Sequence, residues 1–241
     1  MGDRSGSLGY CDLQHNLCEI SVVIASLNEE EGIGLTLEEL KKNLENPHLI
    51  VVDGKSVDKT AEIARNMGAD VFLQVGRGKG DAIFQGLKKL SPESQYVIFI
   101  DADLTYPAEY LPGMIKVLDQ DSKVGMVLGN RFNSENPRQY PCNAFYLGNR
   151  LLALAQQTMN GIDLEDPLSG LRVVRREILE DWKIKSKGFD VEAEMNYRVE
   201  QKGFKIVEIP IYYRERLGEK KLKLRHGLGI LKRIISESFY T

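Results

Sequence analysis

Two carboxylates stand one residue apart directly after an apolar run in the middle of the chain. In the stretch YVIFIDADLTYP, Asp101 and Asp103 follow five apolar residues at positions 96–100. If the strand continues through them, residues i and i+2 share a face, so the two carboxylates would repel each other. A hard divalent cation, Mg²⁺ or Mn²⁺, would offset this repulsion and prefers oxygen ligands. The pair therefore predicts a metal site; the alternative is that Asp101 only ends a strand and Asp103 caps the next helix.

Three further polar segments follow apolar runs in the same way, at residues 26–29, 53–56 and 76–80. The carboxyl ends of parallel strands meet at one edge of an open α/β sheet, where ligands bind. The last segment, GRGKG, allows positive φ angles and close backbone approach, although a lone glycine-rich loop is weak evidence for a phosphate site. Together with the acidic pair, these segments predict one ligand site at the edge of the sheet.

The elements that position these segments are strands that alternate with amphipathic helices. Ser56 is the predicted N-cap of the second helix and Gly68 its stop. The alternation predicts an α/β fold with a mostly parallel sheet, formed by residues 20–223 between a flexible extension (1–19) and an amphipathic helix (224–241). Strands are predicted at 19–26, 48–54, 69–75, 96–100, 124–132 and 204–213, with a short one within 165–179, and helices at 34–45, 56–68, 81–90, 107–120, 143–161 and 190–203.

The composition narrows the class of function. A net charge of −3 over 241 residues argues against a nucleic-acid partner. The three cysteines, Cys11, Cys18 and Cys142, lack zinc-site spacing and indicate a reducing setting, with a Cys11–Cys18 pair as the alternative. The chain has no apolar run of about 18 residues, and its first residues lack the apolar segment of a signal peptide. We therefore expect a cytoplasmic protein without a membrane span.

Seven short motifs are spread over residues 20–235. They are ISVVIASLNEEEGI, IVVDGKSVDKT, GRGKGDAIFQGL, VIFIDADLTYP, LGNRF, DPLSGLRVVRREIL and RLGEKKL. In this order and spacing they resemble family 2 glycosyltransferases of the GT-A fold, and more narrowly the dolichol-phosphate mannose synthase and polyprenyl-phosphate glucosyltransferase branch. The resemblance implies a Rossmann-like three-layer fold, a nucleotide-diphosphate-sugar donor, and a metal on Asp101 and Asp103 that holds the donor diphosphate.

The resemblance also implies which residues meet the donor. Glu29 matches a nucleoside contact, Asp53 a base or ribose contact, and Lys79 can reach a phosphate. The alternatives are a solvated acid at a helix N-terminus for Glu29 and a solvated surface lysine for Lys79. The other positions that the resemblance assigns to the donor are Val52, Ala102, Ala25, Leu27 and Gly54. Relatives often have Pro in place of Ala25, Tyr in place of Leu27 and a second Asp in place of Gly54.

Arginines and lysines of the second half are expected to bind phosphates. Arg131 matches an arginine implicated in acceptor phosphate binding, and arginine binds phosphate through a planar fork of donors. Asp166 matches a D-x-x-S-G element as a catalytic or loop-shaping residue, whereas Arg172 is expected to be a structural ion-pair partner. Arg216 and Lys221 match a flexible segment that closes on the donor diphosphate; a basic tail attracted to anionic lipid is the other interpretation.

The expected reaction is an inverting transfer of a hexose from a nucleotide sugar to a polyprenyl or dolichyl phosphate. A phosphate monoester carries about −1.5 to −2 charges at pH 7, so it needs no strong general base, and positioning with electrostatics would suffice. The alternatives are a soluble acceptor such as 3-phosphoglycerate and non-catalytic nucleotide-sugar binding, and the sugar stays open. The expected catalytic residues are Asp103, Arg131, Asp166 and Lys221.

The last predicted helix has an apolar face with two basic residues beside it. Such a helix could lie in a membrane interface and give peripheral contact; packing on the protein's own core is the alternative. The face consists of Leu224, Leu228, Leu231, Ile234 and Ile235, and the basic residues are Lys232 and Arg233.

Overall fold

The computed structural model describes residues 19–132, 144–219, 221–223 and 225–239. Over these ranges the chain forms one seven-stranded sheet in the order β3-β2-β1-β4-β6-β5-β7. Strand β6 is antiparallel to β4 and β5, and the other pairs are parallel. The strands are β1 (Glu19–Ser26), β2 (His48–Asp53), β3 (Asp70–Leu73), β4 (Ser94–Phe99), β5 (Val124–Asn130), β6 (Arg172–Arg175) and β7 (Lys205–Pro210).

Helices cover both faces of the sheet, which confirms the predicted three-layer α/β architecture. Val22 and Ile24 of β1 pack with one apolar core, to which the first and fourth helices contribute. Val23 points to the opposite core, together with residues of the third and seventh helices. The helices are α1 (Ile33–Asn43), α2 (Thr60–Asn66), α3 (Lys79–Leu87), α4 (Leu111–Gln120), α5 (Ala144–Asn160), α6 (Arg176–Leu179), α7 (Val191–Gln201) and α8 (His226–Glu237).

Strands β1 and β4 lie side by side at the centre of the sheet. From β1 the chain runs outward through β2 to β3 and then returns to the other side of β1 to form β4. This reversal of direction opens a crevice beyond the carboxyl ends of the two strands, where open α/β sheets bind ligands. The segments after Ser26 and Phe99 therefore lie at the predicted edge.

The beginning of α2 differs from the prediction. The helix begins at Thr60, not at Ser56, so Ser56 is not its N-cap. The Ser56 hydroxyl instead donates to Asp53 Oδ1 at 2.5 Å and accepts from the Asn28 N–H at 2.8 Å. A hydroxyl can donate and accept at the same time, so it links the loops after β1 and β2. Asp58 Oδ1 accepts from the Thr60 N–H. The predicted stop at Gly68 is confirmed by its φ of +73°.

The C-terminal helix α8 packs on the protein rather than standing free. Ile230 and Ile234 are buried against Leu152 of α5 and Ala193 of α7. The predicted apolar face is therefore divided, since Leu228 is 75% exposed while Ile234 lies in the core. Leu224 lies outside the described residues, as do the cysteines and residues 1–18 of the predicted extension. Residue 19 of that extension instead begins β1. Within the described ranges, no helix combines the length and apolar character that crossing a bilayer requires.

The glycine-rich loop packs against the protein's own backbone. Gly78 has a φ of +85°, and a Cβ at this position would lie 2.2 Å from the Lys187 carbonyl oxygen. At Gly80 a Cβ would lie 2.3 Å from the Ser186 carbonyl oxygen, and its N–H donates to Lys187 O at 3.1 Å. The close approach that these glycines permit is thus to the segment 186–188.

A glycine-to-alanine substitution should therefore have opposite effects in two helices. Gly80→Ala in the first turn of α3 should lower the free energy of unfolding by about 2 kcal/mol, because backbone atoms must move apart. Gly113→Ala in the first turn of α4 meets no atom within 4 Å and should raise it by about 0.5–1 kcal/mol. Urea unfolding of both variants measures this, and equal stabilities would contradict the close packing of the loop.

Candidate active site

Three neighbouring strands bring the predicted donor residues to one edge. Ser26 of β1 lies level with Asp53 of β2 in the parallel register, and the Gly54 N–H donates to Ser26 O at 2.7 Å. Strand β4 ends at Phe99, and the chain turns through Asp101–Asp103. The expectation of a continuing strand with both carboxylates on one face is therefore wrong, because the turn aims them at different partners.

Asp101 is held by a lysine from the glycine-rich loop. Lys79 Nζ lies 2.6 Å from Asp101 Oδ1 and 2.7 Å from Glu192 Oε1 of α7. Burial alone would lower the pKa of Lys79, but the two carboxylates raise it above its ordinary value. Burial likewise opposes ionisation of Asp101, yet Lys79 holds its pKa below the ordinary value. Lys79 is thus not a solvated surface lysine but a largely buried bridge between two acids.

Asp103 is almost fully buried, and an arginine lies beside it. Its Oδ1 accepts from the Thr105 N–H at 3.1 Å and from the Thr105 hydroxyl at 2.6 Å, so it stabilises its own turn rather than a helix terminus. Its Oδ2 pairs with Arg216. Burial, and then the nearby charge of Asp101, raise the pKa of Asp103. A positive charge beside Oδ2 is therefore needed to stabilise the ionised form of this buried carboxyl group.

Glu29 shares that arginine. Arg216 pairs with Glu29 as well as Asp103, and Lys221 Nζ lies 3.8 Å from Glu29 Oε1. Burial raises the pKa of Glu29 to about 7, although Arg216 and Lys221 act to lower it. Glu29 is 7% exposed, so the solvated-acid interpretation is wrong. Its Oε2 and the Nε of Arg216 are buried without a hydrogen-bond partner among the described atoms.

Arg216 and Lys221 belong to an extended segment that crosses the edge of the sheet, here called the strap (residues 211–223, of which 220 is not described). The Arg214 N–H donates to Thr105 O at 2.9 Å, and the Leu217 N–H donates to Asp103 O at 3.3 Å. Arg214 also pairs with Glu39 of α1 at 2.6 Å. The strap is thus anchored on both sides of the acidic turn and places its cations over it.

The remaining predicted donor residues differ in what they can offer a ligand. Asp53 is buried, and its carboxylate accepts from the N–H groups of Lys55 and Ser56 and from the Ser56 hydroxyl. Asp53 would therefore act on a ligand indirectly, by holding the loop of Lys55 and Ser56 in place. Of the apolar positions, Val52 and Ala102 are buried, Ala25 and Gly54 are partly exposed, and Leu27 is exposed.

Arg131, at the end of β5, is fixed by a fully buried carboxylate. Its Nε and Nη2 each donate to Asp166 at 2.7 Å, and its N–H donates to Asp166 Oδ2 at 3.0 Å. The Glu208 carboxylate in turn accepts from the N–H groups of Glu165 and Asp166 at 2.8 Å. Burial opposes the charge of Arg131, but Asp166 holds its pKa well above the ordinary value. The structure thus joins Arg131, which the sequence predicts to bind the acceptor phosphate, to Asp166, which it predicts to be catalytic or loop-shaping.

Arg172 has a different role from the expected ion-pair partner. Its guanidinium is fully buried and donates to Ser169 O at 2.8 Å, Pro167 O at 2.7 Å and Asn196 Oδ1 at 2.6 Å. Among the described ion pairs it takes no part, because backbone carbonyls and an amide occupy its donors. Arg172 therefore shapes the D-x-x-S-G loop from inside and ties it to α7.

The sequence interpretation missed Glu192, the second partner of Lys79. Glu192 precedes Met195 and Val199 at helical spacing, and all three are buried. A carboxylate on an apolar helix face was therefore the available signal, since buried acids are rarely left without a partner. Glu208 carried no comparable signal, because its carboxylate acts on a loop more than 40 residues earlier in the chain. Thr105 was also missed, although its partner Asp103 lies only two residues before it.

The chemistry of the acidic turn fits a divalent cation. No group of three or more His, Cys, Asp or Glu side chains with metal-binding geometry occurs among the described residues. Magnesium, however, is often bound by one or two carboxylates while water and substrate phosphates supply the other ligands. Asp101 and Asp103 carry such oxygens, and Glu29 Oε2 near them is a further carboxylate oxygen without a hydrogen-bond partner among the described atoms.

Known proteins resemble this chain in sequence and in fold. A family model described as glycosyl transferase family 2 matches residues 21–183. A dolichyl-phosphate hexose transferase of Haloferax volcanii is 34% identical over 226 residues, which cover 92% of this chain and 95% of that protein. A dolichol-phosphate mannosyltransferase of Pyrococcus furiosus is 28% identical over 89% of this chain, which spans 64% of that protein.

The fold is shared with a solved enzyme. Crystal structures of glucosyl-3-phosphoglycerate synthase from Mycobacterium tuberculosis, one of them with Mn²⁺, UDP-glucose and phosphoglyceric acid, superpose with a TM-score of 0.74 at 24% identity, over 92% of this chain and 80% of that one. At this identity the likeness concerns the fold, and it confirms the GT-A expectation. With the family model over more than half of its length and a relative aligned over nearly all of it, the chain belongs to glycosyl transferase family 2.

Proposed function

We propose that this glycosyltransferase moves a hexose from a nucleotide-diphosphate sugar to a polyprenyl or dolichyl phosphate, with inversion at the anomeric carbon and a divalent cation, Mg²⁺ or Mn²⁺, on Asp101 and Asp103. The observation that carries the proposal is the pairing of two buried acids, Glu29 and Asp103, with cations of the strap at the edge of β1 and β4. A third acid, Asp101, lies in the same turn and is paired with Lys79. The names of the Haloferax and Pyrococcus relatives support the lipid phosphate as acceptor.

The diphosphate of the donor would replace Glu29 and Asp103 as the partner of the cations in the strap. Arg216 and Lys221 now neutralise Glu29 and Asp103, and the oxygens of a diphosphate would compete for the same cations. Glu29 and the loop shaped by Asp53 would then face the nucleoside. Asp101 and Asp103 would hold a divalent cation, which would supply positive charge to the leaving diphosphate, and Lys221 would add to that charge.

The acceptor phosphate would meet Arg131. Two nitrogens of its guanidinium are committed to Asp166, so its plane is fixed before the acceptor arrives and little side-chain entropy is lost on binding. Asp166 is fully buried and therefore acts through Arg131. The phosphate is itself the nucleophile, so the site needs groups that place it and stabilise charge.

A lipid acceptor requires contact with a membrane, and the structure offers a surface for it. On α5, Leu147, Leu151 and Leu154 are more than half exposed and recur at helical spacing. Leu228 and Phe239, on and beside the neighbouring α8, are 75% and 80% exposed. Exposed apolar residues on adjacent helices are typical of a membrane or protein contact, and we propose peripheral membrane attachment here, with the basic Lys223 and Arg225 close by.

Asp103→Asn should lower hexose transfer roughly 100-fold or more, because the cation loses one of its anionic ligands. The assay offers UDP-glucose or GDP-mannose with Mn²⁺ and compares dolichyl phosphate with 3-phosphoglycerate as acceptor. Asp70→Asn, at the opposite end of the sheet, is the control and should keep full activity. Equal transfer by Asp103→Asn and wild type would contradict the metal assignment, and transfer to 3-phosphoglycerate alone would contradict the lipid acceptor.

The double substitution Leu151→Ser and Leu228→Ser should weaken binding to phosphatidylglycerol vesicles roughly tenfold, because two leucines no longer enter the apolar layer. Both side chains are exposed, so the free energy of unfolding should change by about 0.5 kcal/mol or less. Val57→Ser removes a side chain that is 92% exposed on the loop after β2 and serves as the control. Sedimentation with vesicles measures the binding, and unchanged binding would contradict the proposed surface.

A further inference from the structure

The segment against which the glycine-rich loop packs is itself held by acids of α7. The carboxylate of Glu194 accepts from the N–H groups of Lys185 at 2.8 Å and Ser186 at 2.6 Å. Asp190, directly before α7, accepts from the Gly188 N–H at 3.0 Å. The position of segment 186–188, and with it the seat of Gly78 and Gly80, therefore depends on how Asp190 and Glu194 are held.

An arginine of the C-terminal helix joins these acids. Arg233 Nε donates to the Ser186 hydroxyl at 3.0 Å and lies 3.4 Å from Asp190 Oδ2 and 3.7 Å from Glu194 Oε2. Its Nη1 lies 3.3 Å from Glu237 Oε1. The side chain of Arg233 is 14% exposed, so its charge acts in a largely water-excluded region where ion pairs are strongly felt.

The other end of this chain of contacts is the donor site. Lys79 stands between Gly78 and Gly80, and its Nζ pairs with both Asp101 and Glu192. The backbone of the loop fixes the position of the Lys79 Cα atom, and the buried ion pairs fix the position of its Nζ atom. A shift of segment 186–188 would therefore move the cation that fixes Asp101.

We propose that Arg233 is a positioning residue for the donor site. It acts through Ser186, Asp190 and Glu194 on segment 186–188, and through the glycine-rich loop on Lys79 and Asp101. The proposal rests on the proposed function in one respect, namely that Asp101 takes part in binding the metal and nucleotide. It assigns to α8 a task in donor binding that is separate from any contact with lipid.

Two measurements test the proposal on the full chain without lipid. Hydrogen exchange of the peptide that covers residues 76–84 reports the seating of the loop without any ligand. Calorimetric titration with Mn²⁺ and UDP, and with Mn²⁺ and GDP, reports the donor site. Arg233→Gln should speed exchange of the loop peptide about tenfold and raise the Kd of the nucleotide that wild type binds about five- to tenfold, whereas Arg233→Lys should restore part of both.

The control is Lys232→Gln on the same helix, since Lys232 is exposed and should change neither quantity. Ser186→Ala serves as a second variant should Arg233→Gln fold poorly, because it removes only the hydroxyl that Arg233 contacts; it should shift both quantities in the same direction by a smaller factor. In a Lys79→Met background the effect on nucleotide binding should disappear, because Lys79 is the link from the loop to Asp101. The effect on loop exchange should remain there, because Arg233 reaches the loop without Lys79.

The outcomes separate the two proposals. Faster loop exchange together with weaker nucleotide binding, of which only the weaker binding is lost in the Lys79→Met background, supports the role of Arg233. If wild type binds neither nucleotide, the proposed function fails and the role of Arg233 in donor binding fails with it. If wild type binds but the folded Arg233→Gln and Ser186→Ala variants bind equally well, with only a lower Tm, Arg233 is merely structural and this inference alone is overturned.

Discussion

The neutralisation of buried carboxylates at the carboxyl edge of the sheet is the interaction on which the site depends. Asp103 and Glu29 are almost fully enclosed, and Asp101 is partly so. An ionised carboxylate is costly to remove from water without a paired charge. Lys79 and Arg216 supply these charges, one from the beginning of α3 and one from the strap. Pairing with these acids therefore brings together the beginning of α3 and the strap, which are far apart in the chain.

Arg131 neutralises a second buried carboxylate, that of Asp166, at the end of β5. Asp166 has no access to solvent, and Arg131 covers it with two parallel hydrogen bonds. The peptide N–H groups next to Asp166 are fixed by Glu208, and the loop behind it is fixed by Arg172. Each of these charged side chains is thus fixed by hydrogen bonds to another side chain or to the backbone, which is the arrangement that preorganised sites require.

The sequence predicted the sheet because β-branched runs such as residues 19–26 and 48–53 can only be buried on both faces. It also predicted that the acids after Ser26 and Phe99 would meet, since strand ends converge in parallel sheets. It did not predict the start of α2, because Ser56 bonds to Asp53 and Asn28 instead of to a helix N-terminus. A buried acid at Glu192 could have been noticed, but its pairing with Lys79 could not be predicted. The partners of Arg172 could not be predicted either, because they are an amide of α7 and loop carbonyls whose positions only the folded chain defines.

The C-terminal helix has a consequence for how this protein is handled in the laboratory. Because Leu228 is exposed, deletion of the C-terminal residues would be an obvious way to improve the yield of soluble protein. Such a deletion before His226 would also uncover Leu152 and Ala193, which Ile230 and Ile234 now shield. It would further leave Asp190 and Glu194 without the guanidinium between them. Surface redesign of single leucines would avoid both losses while keeping the helix in place.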